Sequence, residues 1–274
     1  MRRLKLIGIG AGNPDYITMQ AVNALKQVDV IFVTDKGEDT ADLVRARKEL
    51  CERYMQAKPH RIVEIKDPRR DRSSGGSGGS GGSSSSGSLG AYRSAVATWH
   101  EERAALYEQV IREQLSENEC GAFLVWGDPS LYDSALRIIG QVAALKTMEF
   151  EWEIIPGITS IQALAARHRI SLNEIGAPIH ITTGRRLRDE QSANGIADGI
   201  NVLVLLDGNC AFNELAEDDI DIYWGAYLGT PDEILLSGKL EELRERIGEV
   251  RASARNQKGW IMDTYLLRKR GAAS

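Results

Sequence analysis

Three short stretches of this 274-residue chain gather glycine, proline, aspartate and hydroxyl residues where an apolar run gives way to a helical pattern. The first, "LIGIGAGNPDYIT", has Gly8, Gly10 and Gly12 followed by Asn13, Pro14 and Asp15. The second, "WGDPSLYD", carries Trp126, Gly127, Asp128 and Pro129, and the third, "IPGITSIQA", carries Pro156, Gly157, Thr159 and Ser160. Glycine lets a backbone approach a ligand closely and take positive φ, whereas proline fixes φ and removes an N–H donor. A pyrophosphate cradle needs a run of free N–H groups at a helix start, so Pro14 is poorly suited to one. Position 13 is asparagine, which breaks the G-x-G-x-x-G dinucleotide pattern, and the Walker pattern is absent too. The turns fit a ligand held by close packing and carbonyls, and they argue against a dinucleotide-dependent oxidoreductase.

Asp128 is expected to cap a helix with Pro129 at its first position, or alternatively to meet a cationic or amino-acid ligand. Thr159 or Ser160 caps the following helix while offering a hydroxyl to the cleft. Ligands of open parallel sheets bind beyond the carboxyl ends of the strands, so three unusual turns at strand ends imply one cleft. Its ligand is not phosphate-rich.

The elements that must position these turns alternate through the first 170 residues. Leu4–Ile9, Val30–Val33, Arg61–Ile65, 122–126 and 150–155 read as strands. Thr18–Gln27, Asp39–Tyr54, Tyr92–Leu115, Leu131–Leu145 and Ser160–His168 have helical spacing. Strand alternating with helix implies an α/β domain with a mostly parallel sheet, here over residues 1–172. After Ser171 the rhythm changes to "PIHITT", "NVLVLL", "DIYWGAYLG", "EILLSGKL" and "GWIMDTYLL", with a helix near Glu241–Ile247. That pattern predicts an α+β domain with a mixed sheet over 173–274, divided from the first in "SLNEIGAP", 171–178. Residues 73–88 are only serine and glycine and read as a flexible loop, an engineered linker or a placeholder for a disordered one.

Composition narrows the function classes. The net charge of −5 argues against a dedicated nucleic-acid binder. No apolar run approaches membrane-spanning length, the start of the chain reads as a strand rather than a signal peptide, and a cytoplasmic protein is expected. Cys51, Cys120 and Cys210 are scattered and odd in number, and the four histidines form no His-x-x-x-His pair, so neither a disulfide framework nor a metal site is expected.

Together "GIGAGNPDYIT", "GDPSLY", "IPGITSIQALAA" and "GTPDEILLSGKLEEL" resemble the tetrapyrrole (corrin/porphyrin) methyltransferases over nearly the whole chain apart from the Ser/Gly segment. Further stretches, among them "FLVWGDPSLYDSALRI" and "HITTGRRL", look most like the deacetylating branch of the aerobic cobalamin pathway. The resemblance implies a two-domain methylase fold with the active site in the cleft between the domains. S-adenosyl-L-methionine is then the methyl donor and S-adenosyl-L-homocysteine the product. The sulfonium is cationic and carries no phosphate, so a turn poor in donors suits it. By the same resemblance the donor is contacted by Pro14, Trp126, Gly127, Asp128, Leu131, Thr159, Ser160, Ala226 and Gly229. "LLDGN" departs from the methionine common after the second-domain strand, leaving both Leu206 and Asp207 as candidates. Trp126 stands where many members carry glycine and narrows the pocket.

The implied reaction is methylation of carbon 1 of precorrin-5 with hydrolytic release of acetate, without metal or protein nucleophile. Water attack on the acetyl carbonyl benefits from a general base, for which Asp15, Asp128 and His180 are the candidates. The substrate's many carboxylates call for cations, and Arg185, Arg186 and Arg188 of one cluster or Arg69 and Arg70 (with Arg72) of another supply them. A homodimer is expected, and neither nucleic acid nor membrane as partner. Rival readings are a sibling precorrin or uroporphyrinogen methyltransferase, the ribosomal-RNA methyltransferase branch of the same fold, and a non-catalytic tetrapyrrole or cofactor binder. An RNA enzyme needs a more basic cleft with stacking aromatics than this sequence offers.

Overall fold

A computed structural model describes residues 1–35, 41–56, 59–66, 101–194, 200–215 and 219–269. The Ser/Gly segment 73–88 and the cluster of Arg69, Arg70 and Arg72 lie outside the described residues. The chain divides into two compact units, Met1–Ile9 with Thr18–Gly157 and Gly10–Ile17 with Ile158–Ser274. The division after Gly157 precedes the 171–178 turn, so the helix beginning at Ser160 groups with the second unit rather than the first. The opening loop, Gly10–Ile17, also groups with the second unit although its flanking residues belong to the first.

The first unit holds a sheet of β1 (Arg2–Gly8), β2 (Val30–Asp35), β3 (Arg61–Lys66), β4 (Cys120–Val125) and β5 (Phe150–Ile155). The strand order is β3-β2-β4-β1-β5, and every pairing is parallel. Helices α1 (Met19–Leu25), α2 (Ala41–Tyr54), α3 (101–114) and α4 (Ala135–Leu145) connect them. All six residues of β4 are buried, as a central parallel strand covered on both faces requires. Phe123 stacks between Phe32 of β2 and Tyr107 of α3, with ring centroids 5.1 and 5.2 Å away. Leu4, Leu6, Ile138 and Val142 complete that core.

The second unit contains α5 (Ser160–His168), β6 (Ile179–Thr183), α6 (Gly184–Asn194), β7 (Asn201–Leu205), β8 (Ile220–Ala226), β9 (Ile234–Lys239), α7 (Leu240–Lys258) and β10 (Asp263–Lys269). Its sheet runs β6-β7-β10-β8-β9, with β6 and β7 parallel and the other pairs antiparallel. Trp224, Phe212, Tyr265 and Ile247 pack in its core. The five expected strands are all present, and α7 extends well past the helix expected near 241–247. Helix α6 was not expected. "GRRLRDEQSAN" has one large apolar residue, the buried Leu187, so no amphipathic stripe announces it. Among the described residues no helix is long and apolar enough to cross a membrane.

Candidate active site

In the first unit, strands β4, β1 and β5 lie side by side and end together. Their ends are in backbone contact. A Cβ on Gly157 would stand 2.0 Å from the carbonyl oxygen of Gly127, and one on Gly8 would stand 2.7 Å from the amide nitrogen of Gly157. Both glycines are therefore fixed by the approach of three turns to one another, and any side chain would drive them apart.

Asp128 ties this cluster together. Its Oδ2 accepts the Gly157 N–H at 2.8 Å, and its Oδ1 accepts the Ser130 N–H at 2.8 Å and the Ser130 hydroxyl. Burial works against the charged carboxylate, but the hydrogen bonds from Ser130 and Gly157 outweigh it and hold the carboxyl below its usual range. The expectation that Asp128 caps a helix is corrected, because α4 begins only at Ala135 with Ser134 at its N-cap. Aspartate followed by proline and serine closes its own local turn, which turns the carboxylate away from the helix start. Trp126 and Leu131 flank this turn, both half-buried, and the Leu131 N–H reaches the Asp128 carbonyl at 3.2 Å.

In the second unit the opening loop is seated on the turn after β8. A Cβ on Gly12, which has φ +113°, would stand 2.4 Å from the Leu228 carbonyl oxygen. The close approach that this glycine permits is thus to protein backbone. Pro14 opens a short 3-10 turn, Pro14–Tyr16, capped by Asn13, whose Oδ1 accepts the Asp15 N–H at 2.9 Å. Gly229 donates its N–H to Glu233 Oε2 at 2.8 Å, and Glu233 Oε1 pairs with Arg167 of α5. Thr159 is the cap of α5 in a reciprocal arrangement with Gln162, and the Ser160 hydroxyl accepts from Thr264 at 3.1 Å. Ala226, the last residue of β8, is fully buried.

The structure separates the two candidates after β7. Leu206 has φ +53° and is 67 % exposed, whereas Asp207 is 5 % exposed. A left-handed leucine costs about 1–2 kcal/mol. Asp207 turns inward, and its carboxylate accepts the Asn209 N–H at 3.0 Å, the Ala211 N–H at 2.7 Å and the Tyr265 hydroxyl at 2.6 Å. Its carbonyl accepts from Arg251 Nη2 at 2.6 Å. Arg251 Nε and Trp224 Nε1 both donate to Asp263 Oδ2 at 3.0 Å, and burial raises the Asp263 carboxyl despite that arginine. Arg251, Tyr265 and Glu233 were not singled out in the sequence; "GTPDE" contains the last, but only the fold links it to Gly229.

Of the proposed bases, Asp15 is exposed in the opening loop and His180 is exposed on β6. Arg185 and Arg186 are exposed at the start of α6. Arg188 lies 2.9 Å (Nε to Oε1) from Glu214, an ion pair without a well-directed hydrogen bond.

The turns share one chemical property. Five of their N–H groups are taken by nearby side chains: Gly157 and Ser130 by Asp128, Asp15 by Asn13, Gly229 by Glu233, Thr159 by Gln162. No nest of N–H donors is built from these groups, so the turns suit a cationic or uncharged ligand over a phosphate.

The family model of tetrapyrrole (corrin/porphyrin) methylases matches residues 3–244. A precorrin-6A synthase (deacetylating) of a Sinorhizobium species is 46 % identical over 272 residues, covering 98 % of this chain and 96 % of its own. A crystal structure of a protein of Corynebacterium diphtheriae, described as related to cobalamin synthesis, matches with a TM-score of 0.77 and 35 % identity over 98 % of this chain and 99 % of that one. A uroporphyrin-III C-methyltransferase of Thermus thermophilus, solved with S-adenosylhomocysteine, shares the fold at a TM-score of 0.56 and 18 % identity, over 97 % of this chain and 92 % of that one.

Proposed function

The chain belongs to the tetrapyrrole (corrin/porphyrin) methylases, and from that premise we propose that it is the S-adenosylmethionine-dependent C-methyltransferase that converts precorrin-5 to precorrin-6A with release of acetate. The observation that carries this reading is the 46 % identity to a deacetylating precorrin-6A synthase over 98 % of the chain. Bound S-adenosylmethionine supplies a methyl group on a cationic sulfur, which the electron-rich carbon 1 of the substrate takes up. Hydrolysis adds water to the acetyl carbonyl and breaks its bond to the ring, so that acetate leaves, the electron pair of that bond stays with the ring, and the methyl's bond to sulfur breaks to release S-adenosylhomocysteine.

The chain's own groups suit this chemistry. With the Gly157 and Ser130 N–H groups taken by Asp128, the carbonyls and the Asp128 carboxylate, which carries negative charge, are the groups offered to a cation. Pro14, Trp126, Gly127, Leu131 and Gly229 are proposed to hold the donor, with Thr159, Ser160 and Ala226 fixing the backbone beside them. Positioning and exclusion of water account for the rate, because methyl transfer to carbon needs no protein nucleophile. Asp128, held as a carboxylate by its hydrogen bonds, is a weak base and is assigned to the donor. Asp15 and His180, both exposed, are the remaining candidates to activate water. Arg185 and Arg186 are proposed to receive substrate carboxylates, together with Arg69 and Arg70, while Arg188 is occupied by Glu214.

We also propose a cytoplasmic homodimer. The edge strand β5 exposes Trp152 and Ile154 on one face, and β6 exposes Ile179 and Ile181 in the same alternation, apolar surface that a second copy would cover.

Incubation with S-adenosylmethionine and precorrin-5, followed by mass spectrometry and acetate detection, tests the activity. The expected product has gained one methyl and lost its acetyl group. A methylated product still carrying acetyl would assign the chain to a sibling reaction, and binding without turnover would make it a carrier.

A further inference from the structure

Leu206 is disfavoured twice over. It is a leucine in the left-handed region, with φ +53°, and its side chain faces solvent at 67 % exposure. Among the described residues six other non-glycine residues have positive φ; Lys146 and Arg169 each close the carboxyl end of a helix, where that conformation satisfies backbone carbonyls, and Tyr132, with φ +53° and 46 % exposed, is the nearest parallel to Leu206. Leu206 closes no helix; it simply follows β7. Folding alone gives no reason to keep it, and local strain that survives in a protein must be over-determined by its surroundings.

The surroundings do so. Asp207 is gripped through its side chain by the N–H groups of Asn209 and Ala211 and the Tyr265 hydroxyl, and through its carbonyl by Arg251 Nη2. Arg251 is itself fixed by Asp263, which also accepts from Trp224. On its other side Asp207 abuts Gly184, where a Cβ would stand 2.3 Å from Oδ1. With Asp207 drawn into the core by so many partners, the preceding residue has its peptide fixed and its side chain turned out.

We propose that Asp207, Tyr265 and Arg251 are positioning residues that hold Leu206 in its left-handed conformation, so that its side chain forms an apolar wall against the methyl donor. This rests on the methyl-donor reading above. Asp207 then touches no ligand and acts through Leu206.

The test is calorimetric titration of S-adenosylhomocysteine into the full-length protein and its variants, with thermal unfolding measured alongside. Leu206→Ala is expected to weaken binding about tenfold at an unchanged Tm. Leu206→Gly is expected to weaken it as much while leaving Tm unchanged or raising it, because glycine relieves the backbone as it removes the wall. A purely structural residue would not lose affinity while gaining stability. Tyr265→Phe, and Arg251→Lys as a second route should the first fold poorly, are expected to weaken binding several-fold. Either change combined with Leu206→Ala should bind no worse than Leu206→Ala alone, since both act through the same side chain. Full-strength binding by Leu206→Ala and Leu206→Gly would overturn the proposal, as would losses that simply add in the double variant. If the unaltered protein binds no S-adenosylhomocysteine, the methyl-donor reading itself fails, a result distinct from tight binding indifferent to Leu206.

Discussion

Asp128 and Asp207 occupy equivalent places in the two units, each just beyond a strand at the edge of its sheet's apolar run. Both spend their carboxylates on backbone N–H groups nearby, two for Asp207 and two for Asp128. They differ in the third partner and in depth. Asp207 is sealed at 5 % exposure with a core tyrosine hydroxyl against it, while Asp128 is half-buried with the exposed Ser130 hydroxyl. One aspartate is therefore committed to the interior, and the other remains at a surface where a ligand can meet it. Residue type and position on the strand do not separate these roles; the partner that arrives from far along the chain does.

Substitution should expose the contrast directly. Asp207→Ala leaves the buried Ala211 N–H, the part-buried Asn209 N–H and the buried Tyr265 hydroxyl without acceptors, and is expected to cost about 3 kcal/mol in urea unfolding. Asp128→Ala should cost only about 1 kcal/mol of stability. It should nonetheless weaken S-adenosylhomocysteine binding about tenfold, roughly 1.4 kcal/mol, by calorimetry. Equal stability losses at the two sites would dissolve the comparison. Glu233→Ala extends it to the second unit's loop. Releasing the Gly229 N–H should lower affinity a few-fold, about 0.5–1 kcal/mol, and Glu233→Gln should recover most of it by accepting that N–H. The smallest effect is in pH. The Asp128 carboxyl is depressed in the folded protein, so its contribution is fully present above its ordinary range near 4 and lost as pH falls through the folded value. The stability gap between the unaltered protein and Asp128→Ala should stay constant near neutrality and close below about pH 4.

Much of the scaffold was legible in the sequence because it is periodic. The buried run "CGAFLV" and the closely spaced strands after Ser171 carry their own signal, and the strand-end turns at 126–133 and 155–163 do follow β4 and β5, the two strands that flank β1. What escaped was non-local or lacked a pattern. The helix start at Ala135 was misplaced because Asp128 found Ser130 and Gly157 instead of a helix end. Helix α6 has no apolar stripe to read. The grouping of α5 with the second unit depends on contacts such as His168 to the Trp224 carbonyl at 3.0 Å and Ser160 to Thr264, pairs far apart in sequence. The same holds for the site. Pro14, Asp128 and Gly229 belong to recognisable turns, whereas Arg251 and Tyr265 act on Asp207 from elements more than forty residues downstream.

The excursion of Gly10–Ile17 into the second unit bears on how this polypeptide can be dissected. The backbone passes from one unit to the other at three places, after Ile9, after Ile17 and after Gly157, so no single cut yields two whole pieces. A fragment begun at Ile158 would lack the octet that rests against Leu228–Thr230, leaving an open notch where Gly12 belongs. Expressed alone it should be the weaker half, and a synthetic peptide spanning 10–17 should bind it back and raise its melting point.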